Sequence, residues 1–171
     1  MTIANKTGAL GLLLFDALEA ACGDLSPSAA AFLLTAFYRP RSTTTQIAAV
    51  AGVSQPTGVR VVAGLRARGL VDPPARAGRV APVVLTEAGR ARAAALQAAR
   101  LAAMDRLLAA LTPAEREQFE TLSSKLLAGA TVSRVFARTT CRLCDHPACL
   151  EPECPPGARA SALECATRKE A

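Results

Sequence analysis

The stretch CRLCDHPACLEPEC, residues 141 to 154, sets four cysteines at the spacing C-x2-C-x4-C-x4-C. Thiolates this close repel one another unless a cation neutralises them. The expected chemistry is therefore a metal centre held by Cys141, Cys144, Cys149 and Cys154. The other readings are free thiols in a loose tail and a thiol-based redox switch. His146, the single histidine of the chain, lies inside the cluster and is a possible substitute ligand. Cys165 is a reserve ligand or a free thiol. Cys22 stands apart, near the end of the first expected helix, with no basic residue close by in sequence to lower its pKa; it reads as a buried structural thiol.

The rest of the chain must position that cluster and give it a purpose. With 171 residues, it suits one domain, or one domain plus an appendage. Hydrophobic residues make up 51% but aromatics only 4%, which points to a core of closely packed helices rich in Ala, Leu and Val. The formal net charge is +6, and since Lys6, Lys125 and Lys169 are the only lysines, 17 of the 20 basic residues are Arg. Arginine is the side chain suited to bidentate phosphate and guanine contacts. The apolar patch at 8–15 is too short to span a membrane, and Asp16 and Glu19 interrupt the residues after it. Neither a signal peptide nor a membrane segment is expected. The chain therefore reads as a cytoplasmic protein, in a reducing compartment that opposes disulfides.

Residues 5–22 read as a helix with small and apolar residues on most faces, as suits burial against a partner. Ser26 caps a second helix, Pro27 fits its first turn, and Arg39-Pro40 ends it. Thr43 and Gln46 have the spacing of a capping box, opening a short helix that buries Ile47 and Val50. Gly52 stops that helix in a left-handed conformation. Ser54 caps the next helix, which tolerates Pro56 in its first turn, faces inward through Val59, Val62 and Leu65, and ends at Gly69. Two helices joined by a tight turn make a helix-turn-helix. Leu70-Val71 and Val80 to Leu85 then read as two short strands around a basic tip, with Pro82 marking an edge strand. Thr86 caps a long helix. Its Ala94, Gln97, Leu101, Met104, Leu108 and Leu111 form a heptad seam, either between subunits or as a core stripe within one. Thr112, Pro113 and Glu115 restart a helix with Phe119, Leu122 and Leu126 as its buried stripe. After Ala130 the composition shifts to cysteine and proline.

The segments LSPSAAAFLLTAF, AAVAGVSQPTGVRVVAGLRARGLV, VVLTEAGRA and LAALTPAERE stand in an order that resembles the MarR family of bacterial transcription regulators, over about residues 8–128. The resemblance implies a mainly α fold, a winged helix-turn-helix with N- and C-terminal dimerisation helices. It implies a homodimer on a pseudo-palindromic operator in double-stranded DNA, usually a repressor released by a ligand or by oxidation. The expected division is a winged-helix domain at 1–130, with its DNA-binding core at 27–86, and a cysteine-rich tail at 131–171. The helix from Ser54 would lie in a major groove with its N-terminal end toward the bases. Gln55, Thr57 and Arg60 are on its outward face, Arg60 suited to a guanine edge and Gln55 to an adenine or a phosphate. Ser54 is a cap that also favours a phosphate. Arg66 and Arg68 read as contacts to the DNA backbone or as solvated charge, not as readers of sequence. Arg76 and Arg79 at the wing tip are candidates for minor-groove or phosphate contact. The family's wing usually carries an Asp two residues before its key Arg; here that position is Ala77. A small-molecule ligand is possible, and nothing in the residues specifies it.

Two metal chemistries suit the four cysteines. The spacing resembles the zinc knuckle but lacks its internal glycines and base-stacking aromatics. Cys154-Pro155 resembles bacterial ferredoxin ligation, with wider gaps. An iron–sulfur cluster is the favoured reading, because a labile cluster gives a regulator a sensor; Zn2+ is the alternative. An enzyme is not expected. Asp16 and Glu19 share a helix face without a His, Lys or Tyr nearby, and no glycine-rich phosphate loop comes after a strand. The remaining alternative is a dimeric winged-helix adaptor that binds protein rather than DNA.

Overall fold

The computed structural model describes residues 2–73, 81–149 and 154–169. Eight helices appear among them: α1 Ile3–Cys22, α2 Pro27–Tyr38, α3 Thr44–Ala51, α4 Gln55–Ala67, α5 Glu87–Leu108, α6 Pro113–Ala130, α7 Arg134–Thr140 and α8 Pro155–Lys169. Local chemistry accounts for most of the boundaries. The side chains of Ser26, Thr43, Ser54, Thr86 and Thr112 each accept from a backbone N–H in the first turn of the helix they open. Thr43 with Gln46, and Thr112 with Glu115, close full capping boxes. Gly52 and Gly69 adopt φ of +70° and +69° in the turns after α3 and α4.

The core is built on α2, whose residues 30–36 are all buried. Around it pack Ile47 and Ala48 of α3, Val62 and Leu65 of α4, Leu70, Val71, Val83 and Leu85 of the wing base, and Ala93 and Leu96 of α5. Val59 departs from the expected inward face; it is 55% exposed. Gly58 takes the inward position instead. A Cβ there would lie 3.0 Å from Ala48 Cβ and from Phe32 Cζ, so α4 approaches α2 and α3 closely enough that a side chain would push its neighbours back by a few tenths of an ångström.

The two expected wing strands reduce, among the described residues, to single antiparallel bridges, Val71 with Leu85 and Thr43 with Pro82. The returning segment is shared between two neighbours: Val83 N–H donates to Ser42 O (2.9 Å) and Val84 O accepts from Asp72 N–H (2.9 Å). Pro82 has no N–H to extend a ladder. The wing tip, with Arg76 and Arg79, lies outside the described residues.

The long helices carry less of the core than their patterns suggest. On α5 the buried residues are Gly89, Ala93, Leu96, Gln97 and Ala103, a stripe turned toward α1 and α2. Of the expected seam only Gln97 is buried; Ala94 and Leu101 are exposed, and Met104, Leu108 and Leu111 are half-buried. No residue of α6 is buried. Its stripe is open, with Leu122 at 59% and Leu126 at 70% exposure, because among the described helices α8 alone packs closely against this helix. Leu10, Leu12, Leu13 and Phe15 of α1 are likewise exposed. Beyond α6 the chain turns back: α7 packs on α3 and α8, and α8 on α6.

Candidate nucleic-acid interface and cysteine centre

The helix-turn-helix is α3 and α4, and its second helix presents a short polar face. Ser54 is occupied as a cap: its Oγ accepts from Thr57 N–H at 3.4 Å and lies 2.9 Å from Thr57 Oγ1. Thr57 is thereby half-buried and tied to the cap. Gln55 and Arg60 are exposed, and Val59 stands beside them. Val59 was legible only as an apolar residue at a spacing of three, which reads as core. An exposed valine in this position offers an apolar surface suited to a thymine methyl. Arg66 donates from Nε to Asp72 O at 3.2 Å, which anchors α4 to the wing base. Arg68 pairs with Asp24, and Arg92 donates to the same carboxylate (2.9 Å) and to Cys22 O (3.1 Å). This network ties the end of α4 to α5 and to the α1–α2 turn. The hydrogen bond from Arg92, and then the Arg68 charge, hold Asp24 below the usual carboxylate range.

Cys22 is buried, with its Sγ donating to Leu18 O at 3.2 Å. Burial pushes its thiol up, against a smaller opposing effect of Arg92 and with a minor contribution from Glu19. It is an inert structural thiol in this setting.

Cys141, Cys144, Cys149 and Cys154 line one cavity of about 240 Å³, together with His146, Arg39, Arg134, Ala137, Arg138 and Gly157. The elements that bring them there are the C-terminal end of α7, the loop 141–149 and the start of α8. Cys141 N–H closes α7 on Ala137 O, Cys144 N–H turns back on Cys141 O, and Cys149 N–H on His146 O. Cys154 is buried immediately before Pro155 opens α8. Cys165 is exposed on α8, away from the cavity lining.

The thiols interact in pairs. Cys141 donates to Cys144, which raises Cys141 far above the ordinary thiol range, with burial adding to the rise. The same hydrogen bond, helped by the Arg100 charge, lowers Cys144 to about 7. Burial and the neighbouring Cys154 push Cys149 up to about 11. Among the described residues no three His, Cys, Asp or Glu side chains stand together as a formed metal shell. The thiols are hydrogen-bonded neighbours around a cavity, not a closed set of ligands. Their donor type fits a thiolate centre, and so does one further group. The Nε of Arg100 is buried without a hydrogen-bond partner, and the charge of that guanidinium acts on Cys144. A buried donor of this kind is costly unless something anionic faces it.

The loop is gripped on both sides. The Tyr38 and His146 rings meet edge to face at 5.7 Å, and Asp145 hydrogen-bonds the Tyr38 side chain. Burial chiefly, and then Asp145, raise the Tyr38 phenol. Burial, and then the Arg39 charge, lower His146. With its amide turned to satisfy its neighbours, Gln97 Oε1 accepts from Arg100 Nη2 (2.9 Å) and from Asp145 N–H (3.3 Å). Leu143 packs against the main core.

No protein-family model matches the chain, and no curated protein matches its sequence. Solved structures do match. The MarR family protein Rv2887 of Mycobacterium tuberculosis is similar at 27% identity over 71% of this chain and 91% of that one, with a TM-score of 0.61. The same protein in complex with DNA matches at 26% identity over 74% and 98%, TM-score 0.59, and it is also known with salicylic acid. MepR, a transcription regulator of the Staphylococcus aureus multidrug efflux pump MepA, shares the fold at 19% identity over 75% and 98%, TM-score 0.64. YusO of Bacillus subtilis does so at 22% over 75% and 93%, TM-score 0.65. The fold is that of the MarR-type winged-helix transcriptional regulators, a class of DNA-binding proteins and not of enzymes. These neighbours are matched over nearly their whole length by about three quarters of this chain. The surplus is about the size of the segment 131–171. No described helix is long and apolar enough to cross a membrane.

Proposed function

We propose that this chain is a cytoplasmic, homodimeric transcriptional repressor whose hold on a pseudo-palindromic DNA site changes with a metal centre on Cys141, Cys144, Cys149 and Cys154. The observation that carries the reading is the convergence of all four thiols on one cavity bordered by a helix seated on the helix-turn-helix. Four oxidisable thiols placed there, with arginines around them and no acid–base set for catalysis among the described residues, suit a sensor better than a loose appendage. Gln55, Val59 and Arg60 supply direct readout in a major groove, and the N-terminal end of α4 around Ser54 faces the phosphates. Dimerisation is supported by the uncovered apolar faces of α1 and α6.

An iron–sulfur cluster is the favoured centre, with Zn2+ as the alternative. A cluster supplies oxidant lability, whereas zinc supplies a cross-link. In either case Arg39, Arg134 and Arg138 at the cavity wall offset the negative charge of a tetrathiolate metal site. A second reading, repression relieved by a small ligand with the metal purely structural, draws support from the salicylic acid complex of Rv2887.

The test is metal analysis of protein purified without oxygen. Iron with acid-labile sulfide and a visible absorbance that bleaches in air is the expected result. Colourless protein with zinc keeps the four ligands and replaces the cluster. Metal-free protein with four readily alkylated thiols removes the centre altogether.

A further inference from the structure

The cysteine loop meets the rest of the molecule at two places, and the thiols lie between them. The first is the turn of the helix-turn-helix. Thr139 Cγ2 packs over Gly52; a Cβ on that glycine would be 3.1 Å away. Gly52 holds φ +70° between α3 and α4, so its backbone sets the angle at which α4 leaves α3. Thr139 is two residues before Cys141, and its carbonyl accepts from Arg142 Nη1 at 2.8 Å. The second place is the junction of α2 with α5. Between Cys144 and Cys149, His146 and Asp145 hold the Tyr38 ring and hydroxyl, and the Asp145 N–H reaches Gln97 on α5. Tyr38 is the last residue of α2, and the segment after it leads straight to the Thr43 cap of α3.

We infer that Thr139 and Tyr38 are positioning residues through which the cysteine centre sets the angle of α4. The inference rests on the metal-responsive reading above and names its route. Drawing the four sulfurs onto one metal shortens the loop between Cys141 and Cys149. Its ends are tied to the Gly52 turn on one side and to the α2–α5 junction on the other, so the shortening moves one against the other. Thr139 meets the turn with a methyl group, and Tyr38 meets the loop with its ring and one hydroxyl. Packed contacts of this kind pass on a discrete shift where a solvated loop would absorb it.

The test uses the full-length protein with its metal and after chelation. DNA affinity is measured by fluorescence anisotropy on a duplex that the metal-loaded parent selects from a random library. The parent is expected to change affinity more than about tenfold on metal removal. Thr139→Ala removes the methyl group over Gly52, and Tyr38→Phe removes the hydroxyl held by Asp145 but keeps the ring. Each variant should keep the parent's metal content, while its response falls; in the double variant the two affinities should agree within about twofold. Backbone hydrogen exchange at 51–54 should differ between metal-loaded and metal-free parent and should not differ in the double variant. A parent response above tenfold that survives in the double variant overturns the route and leaves metal sensing intact. A metal-bound parent with no response overturns metal sensing and the route together.

Discussion

Arg60 and Gln55 are exposed on α4 with no hydrogen bond or ion pair among the described residues, unlike the two arginines at the end of that helix region. Arg66 anchors α4 to Asp72 O, and Arg68 is engaged with Asp24. Arg60→Ala should therefore cost about 1–3 kcal/mol of affinity for a selected duplex and relax preference at one base pair. Anisotropy against the selected and a scrambled duplex measures both, and parent-like discrimination by the variant would remove Arg60 as a reader. The thiols allow a second test on metal-stripped protein. With Cys144 lowered to about 7, its labelling by a thiol reagent should rise through that pH and then level off. Cys149, pushed up to about 11, should still be gaining rate well above it. Arg100→Met takes away a positive charge that favours the thiolate, so the Cys144 profile should move to higher pH. Mass spectrometry of the labelled peptides separates the two sites.

At the scale of elements, the cap of α5 joins the wing base to the long helix. Thr86 N–H and Oγ1 donate to Leu70 O and Gly69 O, and Gly89 N–H donates to Thr86 Oγ1. The first turn of α5 passes so close to the wing base that a Cβ on Gly89 would lie 2.0 Å from Leu70 O. Backbone cannot swing aside as a side chain can. Gly89→Ala should lower stability by about 1–3 kcal/mol and weaken DNA binding, because the wing base must shift. Calorimetric melting checks the first effect, and an unchanged melt would mean that the α5 turn yields freely. The cap and the turn of this region were readable from residue types alone, since the Thr86 cap on Gly89 N–H and the left-handed Gly69 are local; the bonds from Thr86 back to Gly69 and Leu70 were not. Nor were the roles of Gly58 and Gly89. Both depend on how closely a second element approaches, and a glycine carries no mark of what passes beside it.

The whole molecule leaves apolar surface uncovered where a second copy would lie. Phe119, Leu122, Leu126 and Leu127 on α6, and Leu12, Leu13 and Phe15 on α1, are open in the single chain. Leu122→Glu with Leu126→Glu should convert a dimer to monomer at micromolar concentration, since charges at a dry interface are costly and neither position supports the chain's own core. Sedimentation velocity reads the change. A parent that is already monomeric would contradict both the dimer and the expectation of two half-sites about one helical turn apart.

Local chemistry in the chain determined the helix boundaries, the helix-turn-helix and the grouping of the four cysteines. A cap, a left-handed glycine or a C-x2-C spacing acts over a few residues and does not wait for the fold. Tertiary structure alone decided which faces were covered. Val59 and the α6 stripe had the spacing of core residues, yet hydrophobic spacing states only that a face is apolar, not what will meet it. The same holds for the cysteines. Their number and spacing raised the expectation of a shared site, but the place of the cavity they line, against Gly52, Tyr38 and Arg100, came from the packing of α7 on α3 and of the loop between α2 and α5. Those contacts join residues far apart in the chain. No short-range pattern encodes such a pairing, because it depends on the shape and spacing of surfaces that exist only once the helices have packed.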